Sequence, residues 1–497
     1  RCFSFVRFSF VHSTKDCSSL SSPTTKLLTM TMVIHQTMML RKLTTGYRIR
    51  LGCIGRCFSS PARQSQWLPE TKHEPLMPKT EAELHQRLAP LGDFWSIPTT
   101  SLLALKDEPR PILSAQQLGS LLALPLPSEP HAEEYRPILQ ALYTAANLTT
   151  DAHHGDKVHY RGLLEFSNIC RCDCNYCGIR KSKHQSRFML SAETILEAAR
   201  WSASKGYGSL MLQSGEVVTP QRLRFLCKII PQIIEETGLG ISISLGELPD
   251  EYYEQLREAG AKRYLLRIET TNPELFKSLH PPAQTFESRL DRLRALRRTG
   301  FMVGTGVMIG LPGQTAQDLA NDLLFFQKED VDMIGMGPYI WQRGTPTGEV
   351  WEASHPDLAQ AYRDKETATA TEEQLELLDR YGAGQFELTT RMVALARLLC
   401  GDANLAATTA LQTIHPTGRE VALMRGANIL MPIITPTEHR AHYQLYEGKV
   451  CVDESAKQCR SCLELRVAAA GKRVAYHEHG DPPKAQRRMN VGSDLSG

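Results

Sequence analysis

The chain has 497 residues, 42% of them hydrophobic and 22% charged, with a formal net charge of +3. It is long enough to bury a large core, as one barrel domain of roughly 250–300 residues or as two smaller domains, and its near-balanced charge shows no basic stripe with interleaved aromatics, which argues against a nucleic-acid partner. No apolar run reaches the ~18 residues that span a bilayer, so no membrane partner is expected, and the 13 cysteines fall in clusters that point to metal ligation in a reducing compartment.

Residues 1–72 read as a leader, expected to be disordered. Between Met30 and Glu70 the segment carries Arg41, Lys42, Arg48, Arg50, Arg56 and Arg63, several hydroxyl residues and no acid. That is the composition of an organellar transit peptide, removed after delivery to a hydrogenosome, mitochondrion or plastid; a plain disordered tail is the alternative. Residues 73–155 are proline-rich and carry two amphipathic helical patterns, TEAELHQRLA and EEYRPILQALYTAANLTT, which predict an N-terminal helical extension.

From 156 to 450 eight short apolar runs follow one another: HYRGLLEFSN, SLMLQSGE, ISISLGE, RYLLRIET, VGTGVMIGLPG, MIGMGPYI, LAATTAL and NILMPIITP. Segments of helical periodicity separate them, most ending in a glycine that suits a left-handed C-terminal cap. Alternating strand and helix units require a parallel sheet, and eight of them predict an α/β fold of the (β/α)8 TIM-barrel type, with an open doubly wound sheet as the alternative. A polar stretch near 347–384 interrupts the sixth unit and is expected to form an extra amphipathic hairpin or a mobile loop at the barrel mouth. The tail, 471–497, is polar and punctuated by glycine and proline, and is expected to be disordered with solvated His477 and His479.

In such barrels chemistry sits where strands end. The first run ends in FSNICRCDCNYCG, with Cys170, Cys172, Cys174 and Cys177. All four together give C-x-C-x-C-x2-C; Cys170, Cys174 and Cys177 alone give C-x3-C-x2-C and leave Cys172 spare. Neither spacing suits a structural zinc site, which takes separated C-x2-C pairs, or a four-cysteine ferredoxin cluster. Three thiolates on a cubane leave one iron open to chelate the amino and carboxylate groups of S-adenosylmethionine (SAM). Polar residues also end later runs: Gln213, Ser214 and Glu216, then Glu247, then Arg267 and Glu269, then Thr408 and Thr409. Singly each is an ordinary cap or loop residue; together, at one rim, they line a pocket.

With Tyr176 before its last cysteine, the C-x3-C-x-Y-C motif after the first strand resembles the radical SAM superfamily. EFSNICRCDCNYCGIR, MLQSGE, SLGELPDEYYEQLREAGAKRYLLRIETTNP, GLPGQT, ATTALQTIHPTGRE, GANILMPIITP and YQLYEGKVC, spread over about 130–470, are similar to the HydE family of [FeFe]-hydrogenase maturases. The resemblance implies a [4Fe-4S] cluster on Cys170, Cys174 and Cys177. It implies SAM held by Tyr176, Gln213, Ser214, Glu216, Arg267, Glu269 and Arg289, with Met333 and Ile340 on its adenosine, and a substrate cavity bounded by Thr408, Thr409, Met431, Tyr443 and Tyr446. The implied function is cleavage of SAM to a 5'-deoxyadenosyl radical for H-cluster assembly, on a small sulfur-bearing or organometallic iron substrate. A reductant such as ferredoxin and the partner maturases of the hydrogenase system are the implied partners. A methylornithine synthase-like mutase or a biotin synthase-like sulfur-inserting enzyme is the alternative, and a non-enzymatic iron-sulfur carrier would leave the polar strand ends without a role.

Cys451, Cys459 and Cys462, in an accessory region spanning 451–470, form C-x7-C-x2-C. This spacing matches a second [2Fe-2S] or [4Fe-4S] site found in some members of the resembled family; adventitious zinc is the alternative. Cys227 and Cys400 read as buried apolar residues.

Overall fold

The eight apolar runs become eight parallel strands: β1 (Lys157–Ser167), β2 (Ser209–Ser214), β3 (Gly240–Ser244), β4 (Ala261–Leu265), β5 (Met302–Thr305), β6 (Met333–Ile334), β7 (Asn404–Leu405) and β8 (Ile429–Leu430). The computed structural model describes residues 113–494 and a few positions between 82 and 90; the leader expected over 1–72 and most of residues 73–112 lie outside the described residues. Neighbours pair in the order β8-β1-β2-β3-β4-β5-β6-β7. A parallel bridge from Ala406 to Ile429, with Ala407 N donating to Ile429 O at 2.9 Å, joins the last strand to its start. The sheet is a barrel, and the open doubly wound alternative is set aside.

Side chains alternate along each strand. Leu164, Phe166, Leu210, Leu212, Ile241, Ile243 and Tyr264 face the surrounding helices and join the main core. Leu163, Met211 and Ile433 face inward and form a separate cluster in the lumen. Several helices start at a hydroxyl cap. Ser191, Thr219 and Thr285 each accept a hydrogen bond from a backbone N–H of the first turn, and Thr315 forms a capping box with Asp318. Among the described residues no helix is long and apolar enough to cross a membrane.

Three departures from regular barrel architecture shape the site. First, the helix Ala115–Leu122 packs on Ala316–Lys328, and the helix Arg136–His154 packs on the long helix Glu372–Cys400. The described part of the extension therefore lies on the outer helical layer. Second, the interrupting stretch is helical, as Pro346–Ser354, Pro356–Glu366 and the start of Glu372–Cys400. It owns an apolar cluster of Trp341, Trp351, Leu358 and Leu378, with Trp341 and Trp351 stacked at 5.6 Å, against which Tyr176 and Met308 pack. It is a hairpin folded onto the mouth, not a mobile loop.

Third, the tail is folded over its described residues, 471–494, where disorder is expected from composition. Arg473–Val474 adds a parallel strand beside β1, and Pro483–Asp494 is helical. Between them Gly480 O accepts from Arg161 Nη2 at 3.0 Å and from Asn404 Nδ2 at 2.8 Å, and Asp481 pairs with Arg263. The composition suggested disorder because the tail has few apolar residues, but its contacts are to buried cations and backbone, which composition does not register. His479 is not left to solvent: its Nε2 lies 3.0 Å from Gly238 O.

Candidate functional site

The loop after β1 carries the four cysteines to the barrel mouth. It is fixed from both sides: Arg171 N donates to Glu216 O, Gly178 N to Leu445 O and Lys181 N to Cys172 O. Gly178 is obligatory, since a Cβ there would lie 2.0 Å from Gln444 O. Cys174 lies within the electrostatic reach of both Cys177 and Cys170, and Cys177 within that of Cys170. Cys172 instead interacts with Cys170 and with Glu216 Oε1, to which its thiol donates at 3.1 Å. Burial pushes the Cys174 thiol up and the Cys177 thiol to about 12, while hydrogen bonding with Cys172, including its backbone N–H at 3.4 Å, lowers Cys170 to about 7.

Three buried carboxylates ring the mouth at the ends of β2, β3 and β4, each matched to a guanidinium. Glu216 meets Arg171 at 2.9 Å, Glu247 meets Arg289 at 2.6 Å, and Glu269 meets Arg267 at 2.9 Å. Glu216 Oε2 also accepts from Glu247 N at 2.7 Å. This contact requires Gly246, at φ +81°, because a Cβ there would lie 2.2 Å from that oxygen. Glu269 is a non-glycine residue at φ 65°, held by hydrogen bonds to Gly306 O and from Met308 N. Such strain persists only where the surroundings impose it, and here it aims a carboxylate at Tyr176 Oη, 3.3 Å away. Beside these groups an open cleft of about 800 Å3 is lined by Arg171, Cys172, Glu216, Glu247, Gln284 and Ser288 among others.

Below this rim lies the lumen. Gln213 Nε2 donates to Tyr443 Oη at 3.2 Å, and Met431 packs on the Leu163, Met211 and Ile433 cluster. Thr408 Oγ1 is buried without a hydrogen-bond partner among the described residues and stands beside Gly337. Across from β1 the wall is glycine: Gly306 touches Gly335 backbone so closely that a Cβ would clash at 1.8 Å, and a Cβ at Gly335 would meet open space. Thr409 Oγ1 accepts from Arg419 Nη2 at 2.9 Å, and Tyr446 hydrogen-bonds Thr413. Ser214 Oγ donates to the carbonyl of Gly215, and Ile340 is half-buried after β6.

Met333 is a correction. Its sulfur accepts from Arg161 Nη1 at 2.6 Å on the barrel floor, at the opposite end from the cysteines, so it does not face an adenosine at the mouth. Position on β6 decides this: Met333 opens the strand, whereas mouth residues follow its end. Sequence reasoning also passed over a buried pair in the lumen, Lys449 Nζ to Glu165 Oε1 at 2.5 Å, with Lys449 also donating to Tyr443 O at 2.9 Å. The available signal was a charged residue at inward parity inside GLLEFSN.

Accessory residues Cys459 and Cys462 sit one turn apart on the helix Ala456–Ala469. Cys451 is hydrogen-bonded to Cys459, and Cys462 Sγ accepts from Arg466 Nε at 3.3 Å. Cys400 is buried and Cys227 half-buried.

A parallel barrel with three mutually close thiols and paired charges at its mouth is the site of a radical SAM enzyme. Residues 164–326 match the model of the radical SAM superfamily. The chain is 42% identical over 335 residues, 67% of its length and 86% of the relative's, to the [FeFe] hydrogenase maturase subunit HydE of Thermotoga maritima. The chain belongs to the HydE family of [FeFe]-hydrogenase maturases. Its fold is also similar to the crystal structures of methylornithine synthase, with TM-score 0.58 at 22% identity over 76% of this chain and 97% of that one, and of the maturase HydG, with TM-score 0.58 at 15% identity over 80% of each.

Membership implies a [4Fe-4S] cluster and SAM as cofactors, and the residues fit both. Among the described residues no three His, Cys, Asp or Glu converge as on a single ion. A cubane asks for wider spacing, since each thiolate takes a different iron. The carboxylates and guanidiniums at the rim match the ammonium, carboxylate and sulfonium of SAM, and their pairing keeps the rim charges compensated within a buried setting.

Proposed function

We propose that the chain directs a 5'-deoxyadenosyl radical at a small sulfur-bearing or organometallic iron substrate held in the lumen, as one step of H-cluster assembly. A bound cluster would supply the electron that cleaves SAM to methionine and that radical. Cys170, Cys174 and Cys177 would hold the cluster; Tyr176, Glu216, Glu247, Arg267, Glu269 and Arg289 would hold SAM. The chain's own part is containment. Asp481, Gly480, Arg161 and Arg263 close the floor, and the hairpin around Trp351 covers the mouth next to Tyr176. The observation that carries the substrate class is the polar lining of the lumen, where Thr408 Oγ1 is buried without a hydrogen-bond partner among the described residues and Lys449 is paired with Glu165 beside Tyr443. Such a lining suits a compact, polar ligand better than a peptide or RNA.

Reductant and partner maturases are proposed as partners on the same basis. The acid-free stretch between Met30 and Glu70 supports delivery to an organelle. The trio Cys451, Cys459 and Cys462 supports a second iron-sulfur site; a triple serine variant is expected to lose that iron and keep SAM cleavage. The functional test is activation of an [FeFe]-hydrogenase that lacks its H-cluster, in an extract depleted of its own HydE. Hydrogen evolution should appear with the wild-type chain and not with Cys174→Ala. Equal activation by both would overturn the proposal.

A further inference from the structure

Four of the residues assigned to SAM are joined into a closed circuit by two that are not, Phe276 and His280. Arg289 lies over the ring of Phe276, 5.4 Å from its centroid, and Phe276 stacks on His280 at 3.9 Å. His280 meets Tyr176 edge to face at 5.8 Å, and Tyr176 reaches Glu269. Glu269 is paired with Arg267, whose carbonyl accepts from Arg289 and completes the circuit. His280 follows the helix Pro273–Leu279, and the cysteine loop is tied to the same turn: Asn175 N donates to Leu279 O and Asn175 Nδ2 to Ser278 O, each at 2.8 Å.

His280 is 3% exposed, and its two ring nitrogens are unequal. Nδ1 lies 2.9 Å from Phe276 O, and a carbonyl only accepts, so Nδ1 carries the proton. Burial, and after it the charge of Arg289, lower the pKa to about 3, so the ring is neutral and Nε2 keeps its lone pair. That lone pair is buried and has no donor among the described residues. The nearest aromatic hydroxyl, on Tyr176, is spent on Glu269. A buried acceptor without a partner is costly, and a ligand that brings a donor removes the cost.

We propose that His280 is a SAM-recognition residue whose Nε2 accepts a hydrogen bond from the adenosine half of the cofactor. The inference rests on the radical SAM assignment and adds a contact to the residues proposed to hold SAM. The amino and carboxylate groups of SAM belong to the open iron, so the donors left are the 6-amino group of adenine and the ribose hydroxyls. A neutral acceptor suits these uncharged donors, while the rim carboxylates suit the positive sulfonium.

Calorimetry on the anaerobically reconstituted protein tests this, with SAM, S-inosylmethionine and the 2'-deoxy and 3'-deoxy analogues of SAM as probes. S-inosylmethionine replaces the 6-amino donor by an acceptor, and each deoxy analogue lacks one hydroxyl. His280→Leu should keep full iron content and bind SAM about tenfold more weakly, the effect of one net hydrogen bond. The wild-type preference for SAM over one of the three analogues should shrink by a similar factor and so identify the donor, while the other two preferences stay. His280→Asn keeps a donor for Phe276 O but lacks the second nitrogen, so it should behave like His280→Leu and carries the test where the leucine variant fails to assemble the cluster. His280→Gln, whose amide oxygen reaches the place of Nε2, should recover part of the affinity. In dithionite-driven cleavage KM for SAM should rise and kcat should hold. Unchanged SAM affinity in the leucine and asparagine variants would overturn the proposal. So would an equal loss for SAM and all three analogues, the mark of a residue that only props Tyr176. A wild-type protein with a complete cluster and no affinity for SAM would instead overturn the site assignment beneath it.

Discussion

The thiol of Cys172 donates to Glu216 Oε1 at 3.1 Å, so one cysteine of the motif is committed to a carboxylate at the end of β2. Cys170, Cys174 and Cys177 remain as mutual neighbours. Cys172→Ala should therefore assemble the cluster with full iron content and an unchanged EPR signal after reduction. Alanine at any of the other three should prevent assembly, read from iron analysis and visible absorption after anaerobic reconstitution. Normal iron content in Cys177→Ala would place the ligand set elsewhere.

Glu269 is held at positive φ and matched to Arg267. Removing the carboxylate leaves a half-buried guanidinium without its partner and takes away a binding group, so Glu269→Ala should weaken SAM binding by about 10- to 1,000-fold. Cluster assembly should be intact. Calorimetry on the reconstituted protein separates the two, and unchanged affinity would return the pair to a structural role.

Much of this was legible before any coordinates. The strand–helix rhythm gave the barrel because short apolar runs alternate with helical segments, most of which end in a glycine such as Gly206, Gly238, Gly260 or Gly300, all at positive φ; the cysteine spacing gave the cluster. Glu247 was read only as one rim residue among several, because its partner Arg289 lies 42 positions away and no local pattern joins them. Met333 was misplaced for a different reason: the sixth apolar run, MIGMGPYI, contains two short strand pieces, Met333–Ile334 and Gly337–Pro338, and sequence does not tell which end faces the mouth. The tail's order depends on Arg161 and Arg263, cations hidden inside strands 300 residues away in places, and Lys449–Glu165 is likewise a pairing across 284 positions.

The floor offers a stability test. Arg263 is fully buried and Asp481 is its carboxylate partner. Truncating the chain after Gly471 should destabilise it by about 3–5 kcal/mol, the usual cost of stranding a buried charge. Chemical denaturation would measure this, and Asp481→Ala should account for a large part of the loss. A truncated chain as stable as the full one would mean that the tail does not seal the barrel.

A pH effect follows from Asp322. It accepts from Thr271 N at 2.7 Å, tethering the segment after Glu269, while its other oxygen has no partner among the described residues. Burial raises its pKa to about 7, only partly offset by Thr271. Because the folded state holds this proton more tightly than the unfolded chain, with its carboxylate near 4, stability from this group falls as pH rises from about 4 to 7, by on the order of 2–4 kcal/mol. Asp322→Asn keeps an acceptor and cannot ionise, so it should flatten that slope in denaturation curves. An identical slope in the variant would assign it to other groups.

The central claim is that the mouth of this barrel cleaves SAM. The most direct measurement is product analysis of reconstituted protein reduced by dithionite and incubated with SAM. Wild type and Cys172→Ala should both release 5'-deoxyadenosine and methionine in equal amounts, and Cys174→Ala neither. A wild-type protein with a complete cluster that releases no 5'-deoxyadenosine, or a Cys174→Ala protein that does, would contradict it.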